Sequence, residues 1–323
     1  MKELVVISGK GGTGKTSFVA SFAALARPIV LVDCDVDAAD LHLVVEPHIR
    51  RRNDFVGGKK AVVTSGHCTA CGKCAELCRF DAIHLDSPGN GRVTKTYRVD
   101  ASACEGCGVC VEFCPENAIA FLSEVSGQWF VSETRCGPMI HARLAVAAEN
   151  SGKLVTQLRR VAEETAKIQC LDLVICDGAP GIGCPVIASL TGADLALVVA
   201  EPTVSGLRDF ERLAQLLRQL GIPGLLAINK ADLNADNVDR LETSARRMGI
   251  SPVGRIPYDV AVTKAQLVQR SVVETSNGLA AKAIRGLWRI VEGCLRSATP
   301  NDSLMNIGSR TPQPPKTAVP PSL

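Results

Sequence analysis

Aromatic residues are scarce: Phe, Trp and Tyr make up 4% of the 323 residues, within 46% hydrophobic residues overall. A core with so few rings has to be filled by Val, Leu, Ile and Ala, which suits an α/β protein. Net charge is nearly absent too, at +3. That argues against a nucleic acid or an anionic membrane held by bulk charge. Long apolar runs are missing, because Asp33, Asp177, Asp194 and Lys230 interrupt or bound the longest ones; none reaches the roughly 18 residues a membrane helix needs. The first residues already read as a strand entering a glycine-rich loop, so no signal peptide is expected and the protein is expected in the cytoplasm. The length leaves room for two domains.

Cysteine, by contrast, is plentiful at 14 residues. In a small secreted chain that count would suggest disulfides; here metal binding is the default.

The apolar run Leu4-Val5-Val6-Ile7 leads directly into residues 9–16, Gly-Lys-Gly-Gly-Thr-Gly-Lys-Thr, and then into a helix expected over roughly Thr16–Ala26. This order matches G-x-x-x-x-G-K-[ST] in its strand-loop-helix context. Gly11, Gly12 and Gly14 let backbone N–H groups turn toward an anion, with Thr13 and Ser17 in the same cradle. Lys15 is expected on the β- and γ-phosphates and the Thr16 hydroxyl on Mg²⁺, with the helix N-terminus adding its dipole.

Further on, Ile29-Val30-Leu31-Val32-Asp33 reads as a buried strand ending in carboxylates, followed by Asp35, Asp37 and Asp40; Asp37 and Asp40 suit helix caps better than Asp35 does. Leu171–Asp177 is a second apolar strand ending in a carboxylate, and Gly178 and Gly181 follow it as points of backbone freedom. Ala193–Ala200 and Gly224–Asn229 read as further buried strands, Gln128–Ser132 as a short one, and Cys136-Gly137-Pro138 as a turn. Lys153–Lys167, with Ser151 as its cap, Gly206–Leu220 and 279–296 read as amphipathic helices. The last has a basic side that could suit a membrane surface, but covering the sheet is the better reading. Residues 297–323, rich in Pro, Ser and Thr, are expected to be disordered.

Residues 61–124 interrupt the α/β pattern. Cys68, Cys71, Cys74 and Cys78 are spaced C-x-x-C-x-x-C-x-x-x-C, and Cys104, Cys107, Cys110 and Cys114 repeat the spacing, with Pro115 after the last run and Arg79 after the first. The repeat goes beyond cysteine, since Phe80-Asp81-Ala82-Ile83 answers Glu116-Asn117-Ala118-Ile119. Zinc is the rival metal for such thiolates. His67 and His84 read as ordinary polar residues.

These runs resemble a bacterial-type ferredoxin with two 4Fe–4S clusters, in which the fourth cysteine of each run ligates the other cluster. The resemblance implies one set of Cys68, Cys71, Cys74 and Cys114 and a second of Cys104, Cys107, Cys110 and Cys78. The remainder resembles the deviant-Walker P-loop ATPases that include MinD, ParA, Mrp and the nitrogenase iron protein. It does so through Lys10 in the loop, the order Asp33-x-Asp35 to Asp40-Leu41, and Asp177-Gly178-Ala179-Pro180-Gly181. By that resemblance Lys10 reaches a dimer partner's ATP, Asp35 orients the attacking water or a Mg²⁺-bound water, and Asp177 holds Mg²⁺ through water. Cys184 falls where the nitrogenase iron protein carries a bridging-cluster cysteine, with Cys136 a poorly aligned second; a small buried or reactive thiol is the better reading.

Asn229-Lys230-Ala231-Asp232 is also the guanine-reading pattern of small GTPases, whereas the resemblance implies Asn229 on adenine, helped by Pro257 and Asp259; ATP is favoured over GTP. The fold implied is a doubly wound, mainly parallel sheet over 1–60 and 125–296, with a ferredoxin domain inserted at 61–124. The expected protein is an ATPase, a homodimer or a heterodimer with a related ATPase, coupling nucleotide state to one-electron transfer. Alternatives are a carrier or scaffold in metallocofactor assembly and a positioning switch of the MinD or ParA kind.

Overall fold

A computed structural model describes residues 1–145 and 151–297. The strands are β1 (Lys2–Ser8), β2 (Val30–Asp33), β3 (His48–Val63), β4 (Ile83–Pro88), β5 (Lys95–Val99), β6 (Ile119–Thr134), β7 (Gly137–Leu144), β8 (Leu173–Pro180), β9 (Leu195–Ala200), β10 (Gly224–Asn229) and β11 (Ser251–Ile256). The helices are α1 (Lys15–Ala26), α2 (His42–Val45), α3 (Lys73–Glu76), α4 (Val109–Glu112), α5 (Ser151–Ile168), α6 (Cys184–Leu190), α7 (Val204–Leu220), α8 (Ala235–Arg247), α9 (Val260–Leu267), α10 (Val272–Thr275) and α11 (Leu279–Ser297).

Among the described residues nine strands form one sheet in the order β11-β10-β9-β1-β8-β2-β7-β6-β3. Its pairs are parallel from β11 to β7, and β6 and β3 join antiparallel at the edge. The central strands are continuous runs of Val, Leu, Ile and Ala because helices bury both their faces. One face packs Leu154, Leu158, Phe210 and Leu241 from α5, α7 and α8. The other packs Phe18, Phe22, Ile284, Leu287 and Trp288 from α1 and α11. The apolar side of α11 is therefore part of the core, with Trp288 and Phe22 ring centres 5.0 Å apart.

Several expectations change at the edge of the sheet. The short strand expected at Gln128–Ser132 is the inner part of β6, 16 residues long and paired along its length with β3. The two strands run unbroken through the expected domain limits at 60/61 and 124/125, because the sheet edge continues outward as a two-stranded ribbon. Between the ribbon's outer ends lie α3, α4 and the small β4/β5 sheet. Gly137 and Pro138 begin β7 instead of forming a turn, and Ser151 is helical instead of capping α5. Asp37 and Asp40 do not cap α2, whose N-cap position is Leu41. The expected tail lies outside the described residues except for Ser297, which ends α11.

Candidate functional site

The loop after β1 lies at the carboxyl ends of the parallel strands, where open α/β sheets place ligands. Gly12 and Gly14 have left-handed backbones (φ 76° and 91°), and Gly11, Gly12 and Gly181 have no atom within 4 Å of where a Cβ would stand. No acceptor among the described residues meets the backbone N–H groups of residues 11–16. Unengaged amides in a loop with open space around its glycines are what a polyphosphate needs. Thr16 and Ser17 occupy the first turn of α1, and the Ser17 hydroxyl accepts from Gln266 Nε2 at 3.0 Å. Gly178, by contrast, is not a point of freedom: it sits in β8, where a Cβ would come within 2.8 Å of Ile7 on β1. Its smallness serves strand packing.

Behind the loop, buried Lys15 places Nζ 2.8 Å from Asp177 Oδ1 and 3.7 Å from Asp35 Oδ2. Burial alone would lower the lysine, but Asp177, Asp35 and Asp33 outweigh it and raise its pKa. Asp33 accepts the backbone N–H groups of Asp35 and Leu41, both at 3.2 Å. Burial, then the charge of Asp177, pushes Asp33 well above the ordinary carboxylate range. Asp35 is raised by burial and held back by Lys15. The cluster thus contains one cation, two carboxylates aimed at it, and a third that fastens the loop from β2 to α2.

Lys10 pairs within its own chain: Nζ lies 3.0 Å from Glu201 Oε2, while Lys230 Nζ lies 2.5 Å from Oε1 of the same carboxylate. Glu201 was not legible as a site residue, because its partners come from loops far away in sequence. Asn229 Nδ2 donates to Thr13 O at 2.8 Å and closes over Gly14. Asp232 accepts the Tyr258 N–H at 2.7 Å, and Asp259 caps α9 through the Ala261 N–H at 2.9 Å. Asp232 thus ties the 230–232 segment after β10 to the segment 257–259 through one carboxylate oxygen while remaining exposed.

The eight cysteines come together as two crossed sets. One hollow, about 340 Å³ including its mouth, is lined by Cys68, Cys71, Cys74 and Cys114 with Val63, Tyr97 and Ile119. The other, about 360 Å³, is lined by Cys78, Cys104, Cys107 and Cys110 with Ala61, Ile83 and Val99. Backbone N–H groups donate to sulfur from Ala70 to Cys68 at 3.4 Å, Ala82 to Cys78 at 3.4 Å and Ala118 to Cys114 at 3.3 Å. The repeat is also a repeat of backbone. Left-handed residues recur at Ala70 and Gly106 (φ 54° and 62°), Gly72 and Gly108 (83° and 77°), and Asp81 and Asn117 (50° and 49°). Arg79 in place of proline leaves that geometry unchanged. No three His, Cys, Asp or Glu groups among the described residues converge as around a single ion. Thiols ringing an apolar hollow, with amides donating to sulfur, fit an iron–sulfur cubane better than tetrahedral zinc.

A family model for a 4Fe–4S dicluster domain matches residues 67–118. The chain is 31% identical over 290 residues to MJ0578 of Methanocaldococcus jannaschii, covering 88% of this chain and 95% of that one. It is 25% identical over 300 residues to the septum site-determining protein MinD of Bacillus subtilis, covering 90% and 88%. The chain belongs to the family of MJ0578; it has the MinD/ParA-type P-loop ATPase fold and carries a 4Fe–4S dicluster domain. Its fold is shared with MinD of Pyrococcus horikoshii, solved with Mg-ADP, at a TM-score of 0.53 and 18% identity over 90% of this chain and 96% of that one.

In this fold Cys136 and Cys184 are not neighbours. Cys136 O accepts the Ile29 N–H before β2 begins, whereas exposed Cys184 follows β8. Since β2 and β8 run parallel, the two cysteines lie toward opposite ends of the sheet.

Proposed function

We propose that this ATPase is a dimeric, ATP-hydrolysing electron carrier in which the nucleotide at the P-loop governs one-electron transfer through two 4Fe–4S clusters carried by residues 61–124. One observation carries the coupling. The segment from Asp33 through α2 leads, after Glu46 and Pro47 alone, into β3, and β3 runs without interruption to the cysteine-bearing module. Whatever moves Asp35 and Leu41 pulls on the strand that carries the clusters.

The chain's own groups divide the work. The amides of residues 11–16 bind the phosphates, and an incoming γ-phosphate competes with Asp177 for Lys15, whose cation offsets charge developing in the transition state. Thr16 and Asp177 would hold Mg²⁺, which supplies further charge neutralisation. Asp35, beside Lys15, positions the attacking water. Asn229 and the loop 257–259 bound the adenine side. Lys10 leaves Glu201 to meet the partner's nucleotide. Cys68, Cys71, Cys74 and Cys114 would hold one cluster and Cys78, Cys104, Cys107 and Cys110 the other, and bound clusters supply one-electron redox chemistry. The apolar residues of each hollow cover its inner sulfurs, while Cys71 and Cys107 stay exposed.

The test is an anaerobic EPR redox titration of the purified protein with ADP and with a non-hydrolysable ATP analogue. Two 4Fe–4S signals whose midpoints or spin coupling differ between nucleotides are expected. Two signals indifferent to nucleotide would remove the coupling and leave cofactor assembly as the better reading.

A further inference from the structure

In the sheet β9 lies between β1 and β10, with Val199 beside Ser8 and Ala200 beside Ile228. The three strands run parallel and end at one level, so the residues just beyond them, Lys10, Glu201 and Lys230, meet although they are far apart in the chain. Glu201 is 8% exposed and shares its carboxylate between two cations, Oε2 with Lys10 Nζ at 3.0 Å and Oε1 with Lys230 Nζ at 2.5 Å. Burial alone would raise its pKa, but hydrogen bonds from Lys230 and Lys10 outweigh burial and lower it. Asp209 of α7 lines the same hollow, and neither ammonium pairs with it. Two ammonium groups thus sit on a carboxylate that one would neutralise. The surplus cation is Lys10, which has the longer contact and a side chain 39% exposed, against 30% for Lys230. Its backbone is fixed separately, since Ser8 Oγ donates to Lys10 O at 2.9 Å. The Lys10 side chain can therefore swing away without carrying the P-loop with it.

We propose that Glu201 is an intrachain latch on Lys10 that sets the threshold at which two copies join around ATP, and that Lys230 is the counter-ion that lets the latch open. The proposal rests on the dimeric reading above, in which Lys10 reaches the partner's nucleotide. The physical reason for the second lysine is the cost of stranding a buried charge. Taking one partner away from a buried ion pair leaves an uncompensated carboxylate, which is strongly unfavourable. Here Lys230 stays, so Glu201 remains paired when Lys10 departs, and two ammonium groups no longer crowd one carboxylate. A triphosphate offers Lys10 more negative charge than a carboxylate that already holds a cation of its own. With no polyphosphate across the contact, Lys10 returns to Glu201. The latch thus opposes association until a partner presents nucleotide. Because its carboxylate is buried, the pair belongs to the upper part of the range for partly exposed ion pairs, about two- to fivefold in an equilibrium constant. A symmetric dimer opens two such pairs, about 4- to 25-fold together.

The test sediments the full chain, purified anaerobically, with Mg²⁺ and a non-hydrolysable ATP analogue to obtain the dimer dissociation constant. The monomer's affinity for the analogue is measured well below that concentration. Glu201→Gln keeps the shape of the side chain and removes its charge, and its dimer dissociation constant should fall by about fourfold or more. Lys230→Met leaves Lys10 as the one cation on Glu201, and the constant should rise by a like factor. Monomer affinity should be unchanged in both. A purely structural role for the cluster would move both variants in the same direction, so opposite shifts are the signature of the latch. In a Lys10→Ala background Glu201→Gln should no longer strengthen association, because nothing is left to release. Equal constants in wild type and Glu201→Gln, weaker association in both variants, or a gain from Glu201→Gln that persists without Lys10 would each overturn the proposal. A wild-type protein that stays monomeric with the analogue, or a Lys10→Ala variant that associates as wild type does, would overturn the dimeric reading and the latch with it. Those two proteins report on the reading without any change at Glu201, so the two failures are told apart.

Discussion

Lys15, Asp33, Asp35 and Asp177 stand within one buried pocket yet have separable roles. Asp177 holds Lys15 directly, Asp33 spends its oxygens on the backbone of the loop that follows it, and Asp35 faces the lysine from farther away. Asp35, whose carboxylate meets the Ala38 N–H and stands 3.7 Å from Lys15, carries the lightest structural load of the three, which makes it the group whose loss should affect chemistry most and the fold least. Asp35→Asn should bind Mg-ATP within about twofold of wild type while hydrolysing it 10²- to 10³-fold more slowly, a loss typical of removing one preorganised charged group. Equilibrium nucleotide binding and phosphate release, measured side by side, check this; equal losses in both would return Asp35 to a binding role. The cysteines allow an equally sharp test. In a crossed arrangement Cys114→Ser should disturb the cluster of Cys68, Cys71 and Cys74, and Cys78→Ser the cluster of Cys104, Cys107 and Cys110. Mössbauer spectra of the two variants should each retain one intact site, and not the same one. If Cys114→Ser instead removes the Cys104 site, ligation is uncrossed.

At the scale of elements, the parts legible in the sequence were those whose signal is local. The runs leading to Ile7, Asp177, Ala200 and Asn229 are apolar over four or more residues and became β1, β8, β9 and β10. The cysteine spacing announced its module by itself. What stayed illegible depends on distant partners. Most of β3 reads His-Ile-Arg-Arg-Arg-Asn-Asp-Phe-Val-Gly-Gly-Lys-Lys, a charged and glycine-bearing stretch that is a strand only because β6 pairs with it 62 to 85 residues later. Glu201 and Arg135 are hidden for the same reason. Arg135, in the turn between β6 and β7, donates to both carboxylate oxygens of Glu274 at 2.8 Å and to Val44 O of α2 at 2.9 Å. Burial would raise Glu274, but Arg135 and the Ser271 amide and hydroxyl overcome it and hold the carboxyl at about 2, against 4.5 for an ordinary glutamate. A folded-state pKa below the unfolded one stabilises the protein fully above about 4.5 and ceases to do so as pH falls toward 2. Glu274→Gln should therefore destabilise by roughly 1–3 kcal/mol at pH 7 and by progressively less below pH 4.5, as denaturant midpoints across that range would show. A deficit constant with pH would mean that packing, not the ion pair, holds α10.

For the whole molecule the question is which physical path joins two chemistries that the chain keeps apart. The ribbon of β3 and β6 joins them by covalent connection, and it is braced at both ends. The loop entering it is fastened by Asp33, and Lys60 on its outer part donates to Ala101 O and Cys104 O of the module at 2.8 and 2.6 Å. A stiff connection transmits displacement, and a slack one does not. Two glycines inserted between Gly58 and Lys59, with two more between Ser123 and Glu124, break the ribbon at one level, because Gly58 pairs with Glu124 and Lys59 with Ser123. An even insertion preserves which side chains face which way, whereas a single residue would reverse them. The inserted protein should keep its full iron content and an ATPase rate within about twofold of wild type, and lose the nucleotide dependence of its cluster midpoints. If that dependence survives the insertion, the signal does not travel along the ribbon. The remaining carrier is then the proposed dimer contact that Lys10 would make on leaving Glu201, in which case Lys10→Ala, and not the insertion, would silence the clusters' response to ATP.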